Sequence, residues 1–443
     1  MDFLDKLVLP QSLEHIALLH YMAIIVLFLF VPFISLALGG SIISFYFKRK
    51  GKREPNDHFN LFSKEVIEYT TFTKGAGVGL GVLPLIALIL IYSQILHNLK
   101  LVAVSFFVAA FLLITIGLIF IYTYRYSWVF KSLLSSVKNE EREIEYSTFA
   151  NNVARVNRKS SYWGIIFLLA GTYFFIGGLN LAVNPSDWNA SGILYLFTSF
   201  SVFVKWIHFL TAALSLTGAF LLFIYFYWEG GKEIEDFGYK VFIKKTGLAI
   251  TLFFALFQPL FLLINLIALP SLALSSSVFG FAVLSLLAVF WVFHLLYAML
   301  KNSELRYSVM VFLLLVVSSL TLIISEQAAF RNVTKKQALV LSAEYDVTLK
   351  ALKEEPKGIA AISGADIFNG KCSACHKFDQ KLVGPPYKET LPKYNGDVEK
   401  VAEFILNPTK MNPAYPPMPN QGLKPAEAKA IAKYILEEVK KYK

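Results

Sequence analysis

Eight long apolar stretches, near residues 17–47, 75–96, 101–124, 162–183, 199–228, 246–269, 277–300 and 307–325, constrain this chain more than any other feature. A helix needs ~20 apolar residues to cross the hydrocarbon core of a bilayer. Inside that core every backbone N–H and C=O must be satisfied within the segment or by a closed barrel, so runs of this length are helices. The expected fold is all-α, a polytopic membrane bundle of eight transmembrane helices. The first and fifth stretches exceed a simple span and are expected to tilt or protrude. Only 16% of the 443 residues are charged, against ~25% in an ordinary soluble chain. That excludes a wholly soluble enzyme and a disordered chain, and two cysteines exclude a disulfide-dense scaffold.

The loops set the orientation. Lys48, Arg49, Lys50, Lys52 and Arg53 follow the first stretch, and Arg125, Lys131, Lys138, Arg142, Arg155, Arg158 and Lys159 separate the third from the fourth. Lys232, Lys240, Lys244 and Lys245 lie between the fifth and sixth, and Lys301 and Arg306 between the seventh and eighth. The three alternate loops hold only Lys100. The positive-inside rule then places both termini outside. This distribution accounts for the net charge of +11 without a nucleic-acid partner. The opening residues lack a basic n-region and the first apolar stretch is too long for a signal h-region. It is expected to insert as an N-out anchor.

After Glu326 the composition turns polar and rich in Lys and Pro. The expected organisation is a bundle over 1–326, a helical linker over 327–361 and a small domain over 362–443. The linker reads as a polar helix from Lys335 to Glu355, broken at Pro356-Lys357-Gly358. No repeat at a fixed period is visible.

Both cysteines fall in Cys372-Ser373-Ala374-Cys375-His376. C-x-x-C-H is the attachment motif of c-type haem. Two thiols at this spacing can each add to a haem vinyl group, and the next imidazole reaches the iron. A redox dithiol is the other reading of the pair. A zinc site would need two more ligands, and no further cysteine exists. Haem c attachment takes place on the outer side of the bacterial membrane, where the loops put this segment.

Residues 362–443 resemble a small class I cytochrome c. The likeness lies in Gly364-Ala365-Asp366-Ile367-Phe368, Gly384-Pro385-Pro386 and Tyr415-Pro416-Pro417-Met418-Pro419, followed by an amphipathic last helix over 425–441. The resemblance implies one covalent haem c, His376 as proximal ligand and a methionine of the Pro-rich loop as distal ligand. Met418 is the expected residue, with Met411 its rival. A thioether ligand favours ferrous iron and raises the potential. From residue 356 onward 14 lysines face 9 acids. They make either a rim that steers an acidic redox partner or a solvated surface.

The remaining histidines are 15, 20, 58, 97, 208 and 294. By the topology above, His15, His20, His97 and His208 lie toward the outer half and His294 toward the inner half, while His58 falls in a cytoplasmic loop. A histidine inside a bilayer either serves a function or hydrogen-bonds between helices. Lys205 and His208 are three apart and share a helix face, with Lys205 on the outer side. It either snorkels to the interface or meets the propionates of a haem held by His208.

The run Lys205-x-x-His208 with Thr217-Gly218-Ala219 resembles the large haem-bearing subunit of the cytochrome bd superfamily, where such a histidine binds a low-spin haem b. The first stretch is similar too: His20 precedes Phe28-Leu29-Phe30-Val31-Pro32, though seven further residues separate them. The resemblance, over roughly the first six stretches, implies a low-spin haem b at His208 and a high-spin haem at His20; with the family's methionine ligand missing, His97 or His20 is the residue within reach as the new partner of the His208 haem. The chain also departs from that family. The second stretch, Gly75-Ala76-Gly77-Val78-Gly79-Leu80-Gly81-Val82-Leu83-Pro84, carries no acid. The family's G-R-x-P-W segment, its methionine ligand and its long quinol loop are missing. The glycines are expected to admit either a neighbouring helix or a flat haem, and Glu65 and Glu68 to lie on a solvated helix extension.

These readings point to a b/c-type membrane cytochrome of the bacterial inner membrane, with one or two b haems in the bundle. It is expected to exchange electrons with a periplasmic redox protein through a tethered haem c, within a respiratory complex and in contact with membrane lipid. A divergent oxygen reductase fed by cytochrome c is the alternative, and a bundle that merely anchors a cytochrome c is the third.

Overall fold

A computed structural model describes residues 11–54, 56–97, 99, 102–136, 143–189, 192–302, 305–354 and 363–442. Among the described residues every regular element is a helix, and eight are long and apolar enough to cross a membrane. The chain divides into two compact units, Met1–Asp346 and Val347–Lys443.

In the first unit α1 spans Leu13–Arg53. At 1.5 Å per residue it is about 60 Å long, twice the hydrocarbon core. Ser12 caps its start by accepting from the His15 N–H, and Lys50, Lys52 and Arg53 complement the carbonyl dipole at its end. The short α2 (Asp57–Thr70) folds back on it. There α1 is glycine-dependent: a Cβ at Gly40 would collide with Thr70, and one at Gly39 with Thr217.

α3 (Lys74–Ile95) contains a π-helical turn over Gly77–Val82. α4 (Ala103–Ser136) and α5 (Glu143–Val183) pack side by side along much of their length. α6 (Phe200–Phe226) carries the Lys205–His208 segment. The sixth span is two helices, α7 (Phe237–Ala255) and α8 (Gln258–Ile267). The break has a local cause, since Pro259 lacks an N–H and its ring clashes with the preceding turn. Gln258 bridges the break by donating to Thr211 Oγ1 at 3.1 Å and to Phe254 O at 3.3 Å. α9 (Ser276–Asn302) and α10 (Ser308–Val333) are joined through Ser285 and Ser318 at 2.8 Å, and α11 (Lys335–Glu354) follows. The eighth span thus continues past residue 326, and the division between units falls inside α11.

The second unit contains α12 (Gly364–Ile367), running into a π-helical turn over Phe368–Cys372, then α13 (Tyr387–Thr390), α14 (Val398–Leu406) and α15 (Pro425–Glu438). Its core gathers Phe368, Phe378, Val401, Ile405, Ile431 and Ile435. α12 crosses α15 so closely that a Cβ at Gly364 would strike the Ala430 carbonyl.

Candidate functional site: a cysteine–histidine pocket and a buried histidine in the bundle

The π-helical turn that ends at Cys372 leads directly into the thiol motif. Cys372 is buried and Cys375 exposed, and both thiols are free. The Cys375 and His376 N–H groups donate to Cys372 O at 3.1 and 3.0 Å, which folds the motif into one tight turn. Burial, with the neighbouring Cys375 second, pushes the Cys372 thiol up, so it stays protonated.

His376 is fixed from two sides. Its Nδ1 lies 3.2 Å from Pro385 O. A carbonyl only accepts, so Nδ1 carries the proton and Nε2 keeps a lone pair. The ring stacks on Tyr387 at 5.1 Å, with 17° between planes. Gly384 passes so near the imidazole that a Cβ there would overlap it, while its N–H donates to Cys375 O at 2.8 Å.

These residues border a cavity of about 350 Å³ that Met418 and Met411 also reach. Met418 is half-buried. Met411 is 58% exposed, and its sulfur accepts from Lys393 Nζ at 2.9 Å. Two thiols, an imidazole with a free nitrogen and a methionine wall are the donor set of a covalent haem c, and the residues present fit that group.

In the membrane unit His208 is 8% exposed. Its Nδ1 is 2.9 Å from Asn265 Nδ2 on α8. Its Nε2 is buried without a partner and so is Asn265 Oδ1. Exchanging the amide O and N of Asn265, which heavy-atom positions do not distinguish, puts Oδ1 on an Nδ1–H and leaves Nε2 as an open donor. His208 borders a cavity of about 160 Å³ with Lys205, Asn265, Glu326 and apolar residues of α1, α5, α6, α8 and α10. That volume is smaller than a porphyrin. Lys205 Nζ lies 3.0 Å from Glu326 Oε2, so in this structure its partner is a carboxylate of α10.

The other histidines are dispersed. His20 is 6% exposed, its Nδ1 has no partner, and its ring meets the edge of Phe330 at 5.3 Å. Phe330 stacks on Tyr92, whose hydroxyl accepts from Gln327 Nε2 at 2.8 Å. α10 therefore joins the surroundings of His20 to the His208 cavity, although His20 does not border that cavity. Neither does His97, which is buried and whose carbonyl accepts from Gln337. His15 lies 3.0 Å from Gln94, and His294 is exposed beside Trp291. Among the described residues no three His, Cys, Asp or Glu gather as a metal cluster.

Sequence reasoning missed Asn265 and Glu326. A lone Asn in the apolar run Leu263-Ile264-Asn265-Leu266 was the available signal. It also put Glu65 on a solvated extension. The structure buries that carboxylate to 15% exposure, where it accepts from Tyr225 and Tyr239 at 2.6 Å each and pairs with Lys232 at 2.6 Å. The Thr217-Gly218-Ala219 string has a packing role: Gly218 admits Thr251 of α7, and Thr217 fills the space beside Gly39. On α3, Gly77 and Gly81 admit Tyr122, Phe33 and Leu118.

The second unit thus has the pocket and donor set of a haem-carrying electron-transfer domain. The chain belongs to the cytochrome c family through this unit: the cytochrome c family model matches residues 361–438. The chain is 37% identical over 78 residues to cytochrome c-551 of Pseudomonas denitrificans, covering 17% of this chain and 95% of that protein. Cytochrome c-551 of Azotobacter vinelandii is 36% identical over 78 residues, 17% of this chain and 95% of that one. Cytochrome c-552 of Hydrogenobacter thermophilus is 35% identical over 86 residues, 18% and 87% of the two chains. No solved structure matches the chain. The domain holds haem c covalently and transfers electrons through it, and the same chain carries eight helices that fit a multi-pass membrane protein.

Proposed function

We propose that the chain is a membrane-bound b/c-type cytochrome of a respiratory complex. It passes electrons between a b haem in the bundle and a periplasmic partner by way of the tethered haem c. The observation that carries this reading is the His208 ring, buried, held at Nδ1 by Asn265 and left unpartnered at Nε2 beside a cavity. A haem b there supplies a one-electron centre whose potential follows its ligands and burial. His208 would ligate it, and Asn265 would fix the ring's tautomer and orientation. The walls beside His208 include the apolar Leu262, Leu266 and Ile323, which would have to move apart to admit the ring, because the cavity of about 160 Å³ is smaller than a porphyrin. His20, also buried with an unpartnered nitrogen, is the proposed ligand of a second b haem.

In the small domain His376 and Met418 are the proposed axial ligands of haem c, and Cys372 and Cys375 its thioether anchors. Lys371, Lys393 and Lys410 stand at the same cavity and favour an acidic partner. The basic loops support an N-out, C-out topology in the bacterial inner membrane with this domain on the periplasmic side.

A pyridine haemochrome spectrum of the purified chain tests the proposal. The expected result is haem b at or above one per haem c. Haem c alone overturns it and reduces the bundle to an anchor or scaffold.

The buried His20, with its Nδ1 unpartnered, favours a second reading, a divergent oxygen reductase fed by cytochrome c. Only an open coordination position binds carbon monoxide. A carbon monoxide shift of the reduced b band supports this second reading, and its absence supports the carrier.

A further inference from the structure

A cavity of about 940 Å³ in the membrane unit lies among α3, α4 and α5 and away from every histidine discussed above. Its walls are chiefly apolar, with Val78 and Val82 of α3, Leu118 and Ile119 of α4, and Val153 and Val156 of α5. Val78, Ile119 and Val156 are about half exposed, so the groove opens on the outside of the bundle. Along α4 it runs from Thr115 to Phe130, a length of about 22 Å at 1.5 Å per residue. That exceeds the ~15 Å hydrocarbon depth of one leaflet. The π-helical turn of α3 forms one wall, and no atom stands within 4 Å of a Cβ built at Gly79.

One region of the groove is cationic and unpaired. Lys74 borders it with Nζ 4.4 Å above the Tyr126 ring; the Arg125 guanidinium does not line the cavity and lies 5.8 Å from the same ring. Among the described residues neither forms an ion pair, and Arg125 Nη1 is buried without a partner. A buried cationic donor lacking an acceptor is costly unless an anion completes it. The Thr115 hydroxyl, farther along, is likewise unpartnered. Lys74 opens α3, and Arg125 lies in the half of α4 that leads to the basic loop after Ser136.

We infer that the groove binds an acidic glycerophospholipid. The phosphate sits at Lys74 over Tyr126, and an acyl chain lies along Val78, Val82 and Ile119. The cation distinguishes this occupant from a neutral lipid, and the apolar length distinguishes it from free phosphate.

The test uses the full chain, delipidated in neutral detergent and titrated with phosphatidylglycerol, phosphatidylcholine of the same acyl chains, inorganic phosphate and a long-chain quinone. Bound ligand is read by native mass spectrometry and the unfolding midpoint in parallel. The expected result is retention of one phosphatidylglycerol with a raised midpoint. Its affinity falls tenfold or more in Lys74→Gln, is kept in Lys74→Arg, and falls in Val78→Trp, which fills the groove without changing charge. Lys74 is exposed, so its replacement leaves folding intact. Equal binding of phosphatidylcholine, binding of phosphate alone, displacement of the lipid by the quinone, or no response to Lys74→Gln and Val78→Trp would overturn the proposal.

Discussion

Asn265 Nδ2 stands 2.9 Å from His208 Nδ1, across the interface of α8 and α6. It holds the ring at Nδ1, while Nε2 is buried without a partner. The break at Pro259 makes this contact possible, because it starts a separate helix that carries Asn265 toward α6. A partner on the far nitrogen of a ligating histidine fixes tautomer and ring orientation, and its loss typically costs 10–100-fold in affinity or activity. Asn265→Leu is therefore expected to weaken b-haem retention tenfold or more and to shift its midpoint potential. Asn265→Asp keeps a partner and is expected to retain the haem. Redox titration of the b band measures both.

Lys205 and Glu326 couple α6 to α10. Lys205 is 8% exposed and Glu326 37%. Breaking a fully buried pair costs ~3–5 kcal/mol. With one partner this open to solvent, the expected loss for Glu326→Gln is about 1–2 kcal/mol after screening. Lys205→Met paired with Glu326→Gln is expected to restore most of the lost thermal stability, because no uncompensated charge remains. An unchanged unfolding midpoint in Glu326→Gln would show that the pair carries no weight.

Met418 and Met411 are separable by one experiment. Met418→Ala is expected to leave haem c attached and to lower its midpoint potential, since the thioether favours ferrous iron. Met411→Ala is expected to leave the potential unchanged, because its sulfur is engaged by Lys393 on the surface. Gly384→Val is expected to disrupt the site more deeply, by driving a side chain into the His376 ring. Haem staining of the denatured chain reads the attachment.

The pH dependence of the small domain has a defined sign. Asp397 caps α14 by accepting from the Glu399 and Lys400 N–H groups at 3.0 and 3.2 Å. The Lys400 backbone bond, before any other cause, holds its carboxyl below the ordinary value. A depressed folded pKa means its stabilisation is present above the unfolded pKa of ~3.9 and is lost as pH falls through the lower folded value. Asp397→Asn is expected to keep the cap and flatten the acid limb of the unfolding curve. Asp397→Ala is expected to lower the unfolding midpoint at neutral pH as well.

Elements set by a local signal were legible in the sequence. Apolar length gave the eight spans, and C-x-x-C-H gave the haem c pocket, because spacing within one turn fixes that geometry. Partners from distant segments were not legible. Asn265 and His208 stand 57 residues apart and meet across α8 and α6, and Glu326 meets Lys205 through the crossing of α6 and α10. Glu65 looked solvated because its tyrosine partners, Tyr225 and Tyr239, stand 160 and 174 residues away. Thr217 and Gly218 drew notice as a haem-protein string. Their contacts with Gly39 and Thr251 show that close helix crossing alone accounts for small residues there.

The proposed function rests above all on His208 as the ligand of a b haem. Pyridine haemochrome spectra of the purified wild-type chain and of His208→Ala test it most directly. The expected result is a b-type band that falls by one haem per chain in the variant while the c band is unchanged. A wild-type chain with haem c alone, or a b band that survives the substitution in full, would contradict it.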